Sequence, residues 1–202
     1  RARQGTGRLS TASTAATRRS LGVCGIAVAL TVAPIAPALA DTPAEPPYGS
    51  IDAATSRLQT ADPVAATKWL NGGPITDPAR VQQVLSAVSA DAESMQIPTD
   101  YVSRVFSDQI NATEAIQYSR FSWWKLDPAA APTSAPDLSS SRTLIDGLNQ
   151  RMVDEIATQW PVLHSPDCPA RLGAAKTAVA ADRALDPLYV TALDAATRSY
   201  CG

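Results

Sequence analysis

The chain has one histidine, His164, only three cysteines and few aromatic residues, which make up 5% of its 202 positions. A single histidine excludes most histidine-based acid–base schemes. Cys24, Cys168 and Cys201 with one histidine cannot build a zinc tetrahedron without carboxylates, so no metal site is expected. The sequence contains no GxGxxG, P-loop, HExxH or GxSxG motif, which removes the common nucleotide, metalloprotease and serine-hydrolase readings. It also lacks alternating strand patterns with hairpin signals, and it has no internal repeat. An enzyme built from this chain is expected to work without a nucleophile or a metal.

The apolar stretches are short. The longest runs from Leu21 to about Val32 and is followed by Pro34 and Pro37. It is too short to span a bilayer comfortably. Before it stand five arginines (Arg1, Arg3, Arg8, Arg18, Arg19) and no acid; after it comes Ala38-Leu39-Ala40 before Asp41. A basic region, an apolar run and a small-x-small site together read as a secretory signal over residues 1–40, cleaved near Ala40/Asp41. The expected location is secreted or periplasmic. Five of the 17 basic residues lie in that leader, leaving 12 against 19 acids, a net charge of −7. An acidic surface argues against nucleic acid and anionic membrane as partners. Cys24 goes with the leader, and Cys168 and Cys201 remain as an even pair in an oxidising compartment. They are expected to form one disulfide.

What remains is rich in alanine and in helical spacing. Residues 41–49 read as a flexible start, and residues 50–202 as one domain. Ile51, Leu58, Ala61, Ala65 and Trp69 fall near one face of a helical segment from about 51 to 70, interrupted at Asp62-Pro63 and ended by Asn71-Gly72-Gly73-Pro74. Asp77 caps a second helix with Pro78 at its first position. A third, free of proline and glycine, spans about 101–125, with Val102, Val105, Phe106, Ile110, Thr113, Ile116 and Gln117 inside. After a proline-rich loop, a fourth covers about 139–163 with Leu144, Ile145, Leu148, Met152, Ile156 and Trp160 inside. Two shorter helices follow, about 170–183 and 187–200. The fold expected is an all-α bundle of three long helices with shorter helices packed around them.

The residues left to carry chemistry are cations and amides. Arg57 and Lys68 are eleven positions apart, about three turns of helix, so they face the same way if the helix is continuous. Thr113 and Gln117 are an i,i+4 pair. Arg80 and Arg142 each lie in the first turn of a helix, where pairing with Asp77 or Asp146 is the plain alternative to a ligand role. Spacing alone leaves open whether these groups meet.

Three runs carry a family resemblance. Ala61-Asp62-Pro63-Val64-Ala65-Ala66-Thr67-Lys68-Trp69 resembles the first helix of the secreted, γ-subclass, all-helical (type II) chorismate mutases. Asp100-Tyr101-Val102-Ser103-Arg104-Val105-Phe106 and the stretch from Asp108 to Phe121 resemble the third. The likeness extends over about 50–201, including Ser141-Arg142 and both later cysteines. It implies rearrangement of chorismate to prephenate, without cofactor, and a homodimer as the assembly. Arg57 and Arg142 stand where the family binds the substrate's two carboxylates. Lys68 stands where a lysine contacts the ether oxygen and a carboxylate, Arg80 at the second-helix arginine, and Thr113 where a hydroxyl helps hold a carboxylate. Gln117 stands where Gln or Glu faces the ether oxygen, and Asp77 at a position associated with substrate. Lys68, Gln117 and Arg57 are thus the expected catalytic groups. One departure is Val81, where some relatives carry a carboxylate for the ring hydroxyl; Asp77 and Gln83 are the substitutes at hand. The same cations would also fit a lyase that removes pyruvate from isochorismate. A secreted helical module that binds without catalysis is the remaining reading.

Overall fold

A computed structural model describes residues 45–202, so the expected leader and the first residues after it lie outside the described residues. The described chain is helical throughout: α1 (Tyr48–Leu58), α2 (Ala61–Asn71), α3 (Pro78–Ser94), α4 (Thr99–Leu126), α5 (Leu138–Thr158), α6 (Trp160–Leu163), α7 (Cys168–Asp182) and α8 (Pro187–Ala196). No strand occurs among the described residues. The long helix α4 packs against α8, α3, α2 and α1, while α1 lies against α5 and α7. No described helix is long and apolar enough to cross a membrane.

The helix starts follow local chemistry. Asp77 accepts from the backbone N–H of Arg80 at 3.0 Å, with Pro78 at the first position of α3. Asp137 caps α5 through the N–H groups of Ser139 and Ser140, and Asp186 caps α8 through that of Tyr189. Each cap satisfies a donor that the helix itself leaves unpaired. Gly72, at φ 70°, ends α2 in the left-handed region that glycine enters without steric cost.

The break between α1 and α2 falls at Gln59 and Thr60, just before Asp62-Pro63. Pro63 has no N–H to give the carbonyl four residues back, at Gln59, so the ladder lapses there. Both residues keep right-handed helical backbone angles, so the segment bends without turning back. The helix expected over 139–163 is likewise interrupted at Gln159, ahead of Pro161 in α6.

One expected core residue lies outside. Leu144 is 56% exposed. The buried residues of α5 are Ser141, Asn149, Met152, Val153 and Ile156, with Leu144 to one side of them. Polar Ser141 and Asn149 are buried on a face where a purely apolar reading places Leu144 and Leu148. Asn149 is there because it meets a buried arginine, described below.

Cys168 and Cys201 form the expected disulfide, with Cα atoms 5.7 Å apart. It ties the start of α7 to the chain end, where the Tyr101 hydroxyl also donates to the Tyr200 carbonyl at 2.6 Å. Closing 33 residues of chain contributes about 3–4 kcal/mol on the loop-entropy estimate. Replacing both cysteines by serine is therefore expected to lower Tm by about 10 °C, measured by thermal unfolding with and without reductant. A shift of only a degree or two would mean that the helix packing alone holds this end.

Candidate active site

Three polar residues interrupt the buried face of α4 one turn apart: Gln109, Thr113 and Gln117. The Gln109 amide donates to the Ala54 carbonyl at 2.9 Å and fastens α4 to α1. The Thr113 hydroxyl donates to the Gln109 carbonyl at 2.7 Å and accepts from an Arg57 guanidinium N–H at 3.2 Å. Arg57 Nε donates to Asn149 Oδ1 at 2.6 Å. Arg57 is 4% exposed, and no carboxylate is paired with it. A buried cation held only by neutral groups is expensive unless a charged ligand completes it. Burial and, after it, the nearby charge of Arg80 lower the Arg57 pKa to about 10.

These groups line a cleft of about 100 Å³. Arg57, Lys68, Asp77, Arg80, Thr113 and Gln117 all face it, joined by Thr60, Glu114 and an apolar set of Val64, Ile75, Val84, Ile110 and Ile145. Six of the seven residues expected to bind ligand therefore share one wall system drawn from α1, α2, α3 and α4. The seventh, Arg142, adjoins it: its guanidinium lies 3.7 Å from Asp77 Oδ2. The bend at Thr60 does not separate Arg57 from Lys68, because the chain continues in nearly helical geometry through it.

Each cation has a provisional partner. Lys68 Nζ donates to the Ile75 carbonyl at 2.5 Å, and burial lowers its pKa. Arg80 pairs with Asp146, whose side chain is 56% exposed. Such exposed pairs are worth about 1 kcal/mol or less, so a buried dianion can displace them. The pairings that the sequence offers as plain alternatives, Arg80 with Asp146 and Arg142 with Asp77, both occur, and Arg80 and Asp77 line the cleft even so. Gln117 is 4% exposed and its Oε1 has no hydrogen-bond partner. Its amide thus faces a ligand cleft with part of its bonding capacity unspent. No group of three or more metal-binding side chains is present among the described residues.

Four participants were not legible in the sequence. Asn149 and Thr60 hold Arg57 from behind, the latter through a hydroxyl that donates to the Arg57 carbonyl at 2.7 Å. The Ile75 carbonyl orients Lys68. Glu114 sits on the wall next to Thr113, and that adjacency on α4 was the one available signal. Of the substitutes for a ring-hydroxyl ligand, Asp77 lines the cleft; Gln83 is exposed and does not.

Residues 51–118 match the family described as chorismate mutase type II. A protein of Mycolicibacterium smegmatis named secreted chorismate mutase is 58% identical over 158 residues, covering 78% of this chain and 87% of that one. One of the same name from Mycobacterium tuberculosis is 51% identical over 178 residues, covering 88% and 89%. The crystal structure of a chorismate mutase from Burkholderia thailandensis superposes with a TM-score of 0.73 at 31% identity, over 77% of this chain and 98% of the other. By identity, coverage and fold together, this chain belongs to the chorismate mutase family.

Proposed function

We propose that this chain is a secreted chorismate mutase that converts chorismate to prephenate by holding a folded dianion and stabilising charge on its ether oxygen. The supporting observation is the gathering of Arg57, Lys68, Arg80, Thr113 and Gln117 about one cleft. The reaction is unimolecular: a C–O bond breaks while a C–C bond forms, with no proton transferred. Such a reaction needs the enolpyruvyl arm folded over the ring and donors aimed at the oxygen that gains charge.

Arg57 supplies a planar fork on the buried side, already oriented by Asn149 and Thr113. Such a fork fixes a carboxylate in both position and rotation. Arg142 and Arg80 serve the other carboxylate and the outer part of the substrate once their exposed acids are displaced. The ammonium of Lys68 and the amide of Gln117 are the donors for the ether oxygen. The apolar walls exclude water, which strengthens each of these contacts. Secretion follows the leader read at residues 1–40, cleaved near Ala40/Asp41, and accords with the names of the mycobacterial relatives.

An amide donates at any ordinary pH, so kcat is expected to vary by less than about twofold from pH 5 to 8. In Gln117→Glu the donor exists only while the carboxyl is protonated, so activity is present at low pH and lost as pH rises through the pKa of the introduced carboxyl. Initial rates of the two proteins across that range decide the matter. A wild-type rate that fell steeply above pH 6 would remove Gln117 from the ether oxygen. The same preparation incubated with isochorismate and assayed for salicylate tests the lyase reading; formation of salicylate in place of prephenate would replace this proposal.

A further inference from the structure

Two carboxylates face the cationic cleft, Asp77 and Glu114, and they are not in the same condition. Asp77 is committed: one oxygen caps α3 through the Arg80 N–H at 3.0 Å and the other faces Arg142 at 3.7 Å. Glu114 accepts from the Thr76 hydroxyl through Oε2 at 2.9 Å, and Thr76 in turn shares a 3.1 Å hydrogen bond with Tyr118. Glu114 Oε1 has no partner among the described residues. The carboxylate is thus anchored by one oxygen and presents the other. In a cleft made for a dianion, a free carboxylate oxygen repels the ligand unless a donor of the ligand meets it.

The space around Glu114 points the same way. Small-molecule sites enclose about 300–1,000 Å³, well above the cationic cleft's own 100 Å³ or so. Directly beyond lies a cavity of about 340 Å³ lined by Thr76, Val81, Gln82 and Asn111, which shares Ile110 and Glu114 with the cleft. A ligand whose carboxylates sit among the arginines finds room for its remaining bulk past Glu114, in this space. Resting on the chorismate reading above, we propose that Glu114 is a substrate-binding residue that accepts the hydrogen bond of chorismate's ring hydroxyl and makes the enzyme selective for a hydroxylated ring. That hydroxyl is the substrate's one hydrogen-bond donor when both carboxylates are ionised, so it is the group able to meet Oε1. Val81, across the larger cavity, offers no polar side chain to compete for it.

The test compares chorismate with its analogue bearing hydrogen in place of the ring hydroxyl, each with wild type, Glu114→Ala and Glu114→Gln. Alanine is the best helix former, and Glu114 is only half-buried in α4, so the fold tolerates the change. A hydrogen bond to a charged group predicts a loss of about 10- to 100-fold in kcat/KM for chorismate in Glu114→Ala, with the analogue changed less than about twofold. Glu114→Gln keeps an acceptor and is expected to fall between wild type and Glu114→Ala on chorismate, again sparing the analogue. Equal losses on both substrates in either variant would overturn the inference, because they would show Glu114 acting through Lys68 or the Thr76 segment. Absence of any loss in Glu114→Ala would overturn it too. Prephenate formation by wild type is read in the same assay, so failure of the underlying activity is told apart from failure at Glu114.

Discussion

Replacing Lys68 by alanine lowers kcat by a factor of about 10²–10³, the cost of one donor aimed at developing charge in a water-poor site. Lys68 sits in the last turn of α2 on the cleft wall, its ammonium fixed by the Ile75 carbonyl. That carbonyl belongs to the segment joining α2 to α3, which is itself tied to α4 through Thr76 and Glu114. The ammonium is therefore oriented before substrate arrives, and no reorganisation is needed as charge grows on the ether oxygen. Removing it costs the fold little: a cation near a helix C-terminus is worth about 0.3–1 kcal/mol, so Tm should move by a few degrees at most. Lys68→Arg retains charge but not the compact donor, and should recover only a small part of the rate. Burial lowers the Lys68 pKa from its ordinary value, opposed in part by Glu114. The charged form is the active one. Activity is thus full below that pKa and falls as pH rises through it, with the alkaline limb of kcat/KM below the usual lysine range. A limb at or above that range would show the ammonium better solvated than the cleft allows.

Arg57→Ala is expected to be about as severe in kcat/KM, about 10²-fold or more, because it removes the buried half of carboxylate recognition. Here the protein also loses stability. Asn149, 4% exposed, accepts the Arg57 Nε–H at 2.6 Å and would be left without that donor. An unsatisfied buried acceptor costs about 1–3 kcal/mol, readable as a lower urea midpoint. Against this stands the relief of an unpaired buried cation whose pKa is already depressed to about 10. The net loss in stability should therefore be at the low end. Arg57→Lys separates the two effects. It keeps the charge but puts one compact ammonium in place of the planar fork whose separate nitrogens reach Asn149 and Thr113, so it should stay at least about tenfold down in kcat/KM. A lysine variant with wild-type activity would show that charge alone, without the fork, suffices.

The inner face of α4 was legible because seven expected positions recur at helical spacing in a stretch without proline or glycine, and all seven are buried. Asp77-Pro78 gave the start of α3 by cap chemistry that needs only neighbouring residues. The inward line of α5 was legible only in part: Met152 and Ile156 are buried as expected, but the placing of Leu144 and Asn149 was not. Leu144 looks apolar and inward by composition, but the helix is rotated so that Asn149 reaches Arg57, a partner 92 residues away. Nothing local announces that pairing. The same holds for the site. Arg57 and Lys68 could be placed on one side of a helical segment by counting, and Thr113 and Gln117 on one side of another; that the sides face each other depends on α1 and α2 packing on α4. The positions assigned to substrate came through likeness to a family. Glu114 is not legible in the sequence, since a glutamate on a long helix usually belongs to a solvated face, and only the cleft shows its second aspect.

Catalysis by this chain requires that separated cations and amides act together on one bound dianion. The most direct measurement is the ultraviolet loss of chorismate with the purified chain, with prephenate assayed as product, for wild type beside Lys68→Ala and Arg57→Lys. Saturable conversion by wild type, reduced about a hundredfold or more in Lys68→Ala and at least about tenfold in Arg57→Lys in folded protein, is the predicted result. Conversion no faster than the spontaneous reaction, or wild-type rates in both folded variants, would contradict it.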